Sequence, residues 1–413
     1  MPRPFTIFIV VGEESGDQLG SKLMVALREL YPGPITFIGT GGSRMEALGL
    51  TPLLRPGEID IIGISQVLFR FRHIFRRIRE IAAAAIAAEP DLVVLVDSPE
   101  FSHRVGKIVR RERPQIPIVN YVSPTVWAWR SSRAPKMVPY IDHVLALLPF
   151  EPQIYVELKG PPCTYVGHPL LEKVSVLRPA PGERPALESV DRPTLLILPG
   201  SRTAEVKRLM EPFGEALARI TREIGPVEAV LPAVPHLSGH IRERLKSWPV
   251  QPTVVEGEAA KYHAFRRAHA ALAASGTVSL ELALAGVPTV IAYRVEAILR
   301  PFKWMLRVPS VVLSNVVLGE RIVPEFLDGK SRPERLAAEV VKLLRPGTAR
   351  ERQLAAFSRL DSVMAFDGDA PSRRAAQMVL DVARKRGVLP PAPALITAGE
   401  ESGTAPPPAP REH

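Results

Sequence analysis

With one cysteine in 413 residues, Cys163, the chain has no intrachain disulfide, which fits a reducing, cytoplasmic compartment. No apolar run approaches the roughly 20 residues that span a bilayer. The first such run, Phe5–Val11, passes directly into Glu13 and Glu14; it is too short for a secretory core and reads as a first strand. The nine histidines form no H-x-x-x-H or Cys/His cluster, and Glu256-Gly257-Glu258 is a lone carboxylate pair, so neither metal nor cofactor is expected. Gly12-Glu13-Glu14-Ser15-Gly16-Asp17 follows the first strand, where phosphate loops usually sit. It has neither the lysine of G-x-x-x-x-G-K-[ST] nor the spacing of G-x-G-x-x-G, which excludes both common nucleotide fingerprints there. No nucleic-acid-binding motif is present, and the arginines are interleaved with bulky aliphatics.

What the chain does have is positive charge, 53 Lys+Arg against 43 Asp+Glu, a net +10 that favours an anionic partner. It also has short strands, apolar throughout, separated by helices: Phe5–Val11, Ile35–Ile38, Leu92–Val96, Ile116–Val122 and His143–Leu147. The proline-rich stretch RPAPGERPALESVDRP (178–193) interrupts. The alternation then restarts at Thr194–Leu198, Val227–Leu231, Val254–Val255, Ala270–Ala274 and Pro288–Ala292. Strands of this kind belong to parallel sheets covered on both faces. The expected fold is α/β, two doubly wound Rossmann-like domains facing across a cleft: residues 1–177, a linker 178–193, residues 194–349, C-terminal helices 350–387 and a disordered tail 388–413.

Two strand-to-helix junctions in the second half carry chemistry. In LPGSRTAEV (198–206) a strand meets Gly200, Ser201 and Arg202 at a helix start; in AASGTVSLELALAGVP (273–288) a strand meets Ser275, Gly276 and Thr277. Helix starts present free N–H groups to anions, and Arg202 adds a fork suited to a diphosphate. Plain helix capping by these Ser and Thr residues is the alternative. Glu281 falls outside the capping-box position for either cap; it suits the two hydroxyls of a ribose, or equally a solvated helix face.

In the first half, LVVLVDSPEF (92–101) ends a buried strand at Asp97, facing the cleft where a general base would work. Ser98-Pro99 and Asp97-x-x-Glu100 read equally well as a capped helix start. YVSPTVWAWR (121–130) places Trp127 and Trp129 past another strand end, as a sugar-binding wall or as core. VLFRFRHIFRRIREI (67–81) sets Val67, Phe71, Ile74, Phe75, Ile78 and Ile81 on one stripe flanked by arginines. EAILRPFKWMLRVPSVVL (296–313) mixes aromatics with cations. Both compositions suit an anionic membrane surface or an acyl chain; for 67–81, ordinary packing on the sheet is the alternative.

Taken in order, GEESGD (12–17), GTGGSRM (39–45), VDSPEF (96–101), YVSPTVWAWR (121–130), LPFE (148–151), YVGHPL (165–170), LPGSR (198–202), SGTVSLELAL (275–284) and SNVVLGERIVPE (314–325) resemble the lipid-A-disaccharide synthase family, from residue 7 to about 385. The resemblance implies a glycosyltransferase-B fold and metal-independent, inverting transfer from UDP-2,3-diacylglucosamine to 2,3-diacylglucosamine 1-phosphate (lipid X). Asp97 would be the base. Gly200, Ser201, Arg202, Ser275, Gly276, Thr277, Glu281 and Asn315 would hold the donor, and Gly12, Ser15, Gly16, Asp17, Trp127 and Trp129 the acceptor. It also implies peripheral attachment to the cytoplasmic face of the inner membrane, and oligomers are compatible with it. Glu14 and Ser314 depart from the family pattern. The rival readings are a UDP-N-acetylglucosamine 2-epimerase, a peptidoglycan glycosyltransferase and a non-catalytic nucleotide-sugar or lipid-binding protein.

Overall fold

The computed structural model describes residues 3–54, 67–294, 310–364 and 368–390. In the first domain the strands are β1 (Phe5–Val11), β2 (Ile35–Thr40), β3 (Leu50–Leu54), β4 (Leu92–Val96), β5 (Ile118–Tyr121), β6 (His143–Ala146) and β7 (Cys163–Tyr165). They are all parallel, in the spatial order β3-β2-β1-β4-β5-β6-β7. Around them lie α1 (Glu14–Leu30), α2 (Ser43–Ala47), α3 (Val67–Ala87), α4 (Pro99–Glu112), α5 (Arg133–Met137), α6 (Glu151–Glu157) and α7 (Val174–Leu177).

The second sheet contains β8 (Thr194–Leu198), β9 (Glu228–Ala233), β10 (Thr253–Glu256), β11 (Ala270–Ala274), β12 (Thr289–Tyr293) and β13 (Glu325–Leu327). These too are parallel, in the order β10-β9-β8-β11-β12-β13. Its helices are α8 (Thr203–Ile224), α9 (Pro235–Leu245), α10 (Glu258–Arg267), α11 (Val278–Leu284), α12 (Leu313–Leu318) and α13 (Pro333–Leu343). The central strands β4, β8 and β11 are buried along their whole length, as strands covered by helices on both faces must be.

The chain then closes on itself. Helices α14 (Thr348–Ser358) and α15 (Leu360–Met364) bury Phe357, Leu360 and Met364 in the second domain's core, whereas α16 (Pro371–Lys385) buries Ala376, Val379 and Leu380 beside Leu23 and Leu27 of the first. The stretch 350–387 is therefore shared between the two domains. Leu389, inside the expected tail, also packs on the first core; residues 391–413 lie outside the described residues.

The proline-rich connector is fastened rather than loose. The guanidinium of Arg184 donates to the carbonyls of Phe265, Arg266, Ala285 and Gly286, the ends of α10 and α11, where unpaired carbonyls and the helix dipole favour a cation.

On α3, Ile78, Ile81, Ala82 and Ala85 are buried in the first domain's core, with Ile74 packed against it. This part of the apolar stripe serves ordinary packing. Phe75 and Arg76 face outward, Phe75 with 42% of its surface exposed. The side chains of 67–73, and the part of the second basic stretch from 296 to 309, lie outside the described residues.

Candidate active site

Open parallel sheets bind ligands beyond the carboxyl ends of their strands, where the strand order reverses. In the first sheet that point lies between β1 and β4, so the chain leaves it at Gly12 and Asp97. In the second it lies between β8 and β11, beside Gly200 and Ser275. The topology therefore sets four separate sequence motifs at two facing crevices.

A cavity of about 550 Å³, within the range of small-molecule sites, opens at the second crevice. Gly200, Ser201, Arg202, Ser275, Gly276, Thr277 and Glu281 all line it, and Gln18 and Arg44 reach it from the first domain. Simple capping does not account for its serines and threonine. The cap position of α8 falls on Arg202 rather than Ser201, Thr277 makes no side-chain cap bond, and Ser275 Oγ donates to Val311 O at 2.8 Å. Gly276 has φ 147°, a conformation that side chains avoid, and open space where a Cβ would stand, so ligand can approach its backbone closely. At the other junction the N–H groups of Ser201 and Arg202 donate to the Glu205 carboxylate at 3.1 and 3.3 Å. Arg202 meets the same carboxylate at 3.3 Å with most of its guanidinium exposed. The open backbone of this cavity is thus at the start of α11, with Arg202 beside it.

Glu281 is no solvated helix-face acid. It is buried, and Lys261 Nζ of α10, also lining the cavity, donates to its Oε2 at 2.5 Å. Asn315 has a different task from the one expected. It is buried; its Nδ2 donates to Val323 O, and its Oδ1 accepts from the N–H groups of Ile322 and Val323. It pins the loop leading into β13 and does not line the cavity.

The GEESGD segment differs from the expected loop. Glu14 already begins α1, so Ser15 and Asp17 lie in its first turn rather than capping it. Gly12 and Gly16 permit close packing of protein on protein: a Cβ at Gly12 would stand 2.7 Å from Ser98 Cβ, and one at Gly16 2.8 Å from Val11 Cγ1. Asp17 is buried, and its carboxylate accepts from the N–H groups of Gly42 (2.7 Å), Arg44 (3.2 Å) and Met45 (3.2 Å). The acid of this motif holds the GGSRM turn, and that turn delivers Arg44 to the cavity.

Asp97 sits at the end of β4, outside the cavity lining but one helical turn of α1 from it, since Ser15 Oγ lies 3.4 Å from Asp97 Oδ2 and Gln18 lines the cavity. The helix starts where the capped-helix alternative put it, with Ser98 at the cap position and Pro99 first, but without the cap's side-chain bonds. Ser98 makes no cap bond, and Glu100 turns to Arg130 and Arg133. Asp97 (φ 53°) and Ser98 (φ 45°) are both left-handed, as are Val122 (φ 79°) and Arg130 (φ 51°) after the neighbouring strand. Each such residue costs about 1–3 kcal/mol, strain that characteristically collects where function fixes a side chain's direction. Trp127 is half-buried, edge-on to Phe150 at 5.4 Å, with Nε1 donating to Glu151 at 3.2 Å, and packs against an apolar core cluster. Trp129 is 37% exposed under the guanidinium of Arg130.

Around this frame, burial sets the titrating groups. Glu151 is pushed up to about 7 by burial, against the bonds it accepts from Leu148 N–H, Ser123 and Trp127; among the described residues no cation pairs with it. Burial lowers His168 to about 4; its Nδ1 accepts from Leu170 N–H, a structural task. The Glu256–Glu258 pair splits, Glu256 going to Arg242 and Ser238 and Glu258 to Lys173 and Tyr262.

The family model for lipid-A-disaccharide synthetase matches residues 7–377. The chain belongs to this family. Among its relatives, the lipid-A-disaccharide synthase of Rhodopseudomonas palustris (strain HaA2) is 49% identical over 92% of this chain and 96% of its own length. That of Nitrobacter hamburgensis is 50% identical over 91% and 95%. Solved structures share the glycosyltransferase-B architecture at low identity. The UDP-N-acetylglucosamine 2-epimerase from Neisseria meningitidis aligns over 92% of this chain and all of its own, with TM-score 0.58 and 12% identity. A putative epimerase from Listeria monocytogenes aligns over 93% and 97%, with TM-score 0.58 and 16% identity.

Sequence reasoning passed over three residues of this family member's crevices. Lys261 and Arg44 line the cavity, and Glu151 is a buried acid outside its lining, bonded to Trp127. GTGGSRM and LPFE marked two of them without a role. Lys261, in an ordinary helix, carried no local signal.

Proposed function

We propose that this chain transfers 2,3-diacylglucosamine from UDP to the 6-hydroxyl of 2,3-diacylglucosamine 1-phosphate, giving the β-1,6-linked tetraacyl disaccharide 1-phosphate and UDP. The observation that carries this is the pairing of a diphosphate-sized, cation-rimmed cavity on one domain with a strained carboxylate, Asp97, on the other, in a chain of this family. Family membership over nearly the whole chain favours this reaction over epimerisation, which the shared fold alone does not separate.

In this reading the diphosphate lies over the backbone of Gly276–Val278 with Arg202 on one side and Arg44 on the other. Their charge stabilises the departing UDP without a divalent cation. Glu281, oriented by Lys261, accepts from the ribose hydroxyls. Asp97 takes the proton from the acceptor 6-hydroxyl as that oxygen attacks the anomeric carbon from the face opposite the leaving group, which inverts the configuration. Ser15 borders the acceptor beside Asp97, and Asn315 acts through the loop it pins. Attachment to the cytoplasmic face of the inner membrane is through 67–81 and 296–313, whose cations suit anionic lipid.

The test is one incubation of purified protein with both diacylated substrates and excess EDTA, read by mass spectrometry. Tetraacyl disaccharide 1-phosphate with UDP is the expected result. Product only after magnesium is added would overturn the metal-free mechanism, and no product in either case would overturn the reaction.

A further inference from the structure

We infer that the arginine cluster beyond β4 and β5 is the seat for a phosphate monoester, the 1-phosphate of the acceptor. The assignment rests on the reaction proposed above for its choice of acceptor, but its physical basis is separate.

Glu100 Oε1 accepts from Arg130 Nη1 at 3.0 Å and from Arg133 Nη2, so one carboxylate oxygen is shared by two guanidinium groups. Arg104, one turn along α4, adds its field to the same acid. Partial burial opposes ionisation of Glu100. The Arg133 hydrogen bond and the three arginine charges prevail and hold its carboxyl below the usual range. Among the described residues no second carboxylate pairs with Arg104, Arg130 or Arg133. Three positive charges therefore face one negative charge. The surplus of two matches a phosphate monoester, which carries about −1.5 to −2 at neutral pH.

Position and surroundings identify the molecule further. Glu100 lies in the first turn of α4, three residues from Asp97, so a phosphate held here keeps the rest of its sugar at the carboxylate. Arginine forks suit phosphate oxygens in pairs. Arg130 is stacked on Trp129 at 4.3 Å, and Arg104 on Phe75 at 4.8 Å; both rings are exposed, at 37% and 42%. A charged cradle between two exposed aromatic rings fits a phosphorylated sugar whose acyl chains run out over apolar surface, and fits a soluble sugar phosphate poorly. Arg130 holds its place in a left-handed backbone conformation, which binds its direction to the fold.

The experiment is direct calorimetric binding, independent of turnover. 2,3-Diacylglucosamine 1-phosphate and its phosphate-free counterpart are each titrated into the full chain and into Arg130→Gly and Arg133→Gln. Glycine keeps the positive φ, and glutamine keeps a hydrogen bond to Glu100. The wild type should bind the phosphorylated lipid at least tenfold more tightly. Each variant should lose most of that preference while its UDP affinity stays within twofold, which also reports that it is folded. No preference in the wild type, or a preference retained in both variants, would overturn the assignment. A wild type that shows the preference yet makes no disaccharide would leave the cluster standing and sink the reaction.

Discussion

Lys261 Nζ donates to Glu281 Oε2 at 2.5 Å across the space between α10 and α11, and both side chains line the cavity. The ion pair is mostly buried, so removing the lysine leaves a carboxylate without its partner and free to turn. Lys261→Met is expected to weaken UDP binding about tenfold, equivalent to about 1.4 kcal/mol. Calorimetry with UDP checks it. Unchanged affinity would mean that Glu281 needs no positioning.

Asp17 and Arg44 separate stability from binding. Asp17→Ala deletes three bonds to backbone N–H groups and is expected to cost about 2 kcal/mol by chemical denaturation, together with weaker UDP binding because Arg44 loses its footing. Arg44→Ala, at an exposed side chain, should leave stability within about 0.5 kcal/mol and weaken UDP binding alone. Equal destabilisation by both would contradict this division.

These two residues also show what was legible in the sequence. The parallel sheets were legible because their central strands are apolar throughout and spaced by helices. The three strands not anticipated, β3, β7 and β13, are sheet edges; β3 contains Pro52, and β7 and β13 have three half-buried residues each. Gly200, Gly276, Arg202 and Glu281 were legible in the cavity because strand-to-helix junctions constrain residue type. The role of Asp17 was not, since its partners lie 25–28 residues away and only the β1–β2 packing brings them near. Gly12 and Gly16 were expected to hold the acceptor, and the structure packs protein against them instead. That the approaching atoms are Ser98 and Val11 depended on tertiary structure.

Burial of Glu151 predicts a pH effect. Its folded value of about 7 lies above the ordinary carboxyl value of 4.5, so the folded state binds the extra proton between those limits. Its contribution to stability is complete below about 4.5 and is lost as pH rises through 7, amounting to about 3 kcal/mol. His103 and His168, both lowered to about 4, act with the opposite sign, losing stability as pH falls from 6.5. The difference between wild type and Glu151→Gln isolates the acid: the variant should gain relative stability from pH 5 to pH 7. A pH-independent difference would contradict the raised value.

Membrane attachment through α3 should be electrostatic in its described part, where Arg76 and Arg79 are exposed while Ile78 and Ile81 are buried. Arg76→Glu with Arg79→Glu should reduce sedimentation with vesicles containing anionic lipid at least tenfold, at about 1 kcal/mol per charge, and should not change behaviour with neutral vesicles. An equal loss on both would point to apolar insertion instead.

The most direct test of the central claim is Asp97→Ala, measured for transfer and for UDP affinity in the same preparation. A general base typically contributes 10²–10⁴-fold, so transfer should fall by about that factor while UDP affinity stays within a few-fold. Transfer that survives, or UDP binding lost in proportion, would show that Asp97 shapes the crevice and does not act on the acceptor hydroxyl.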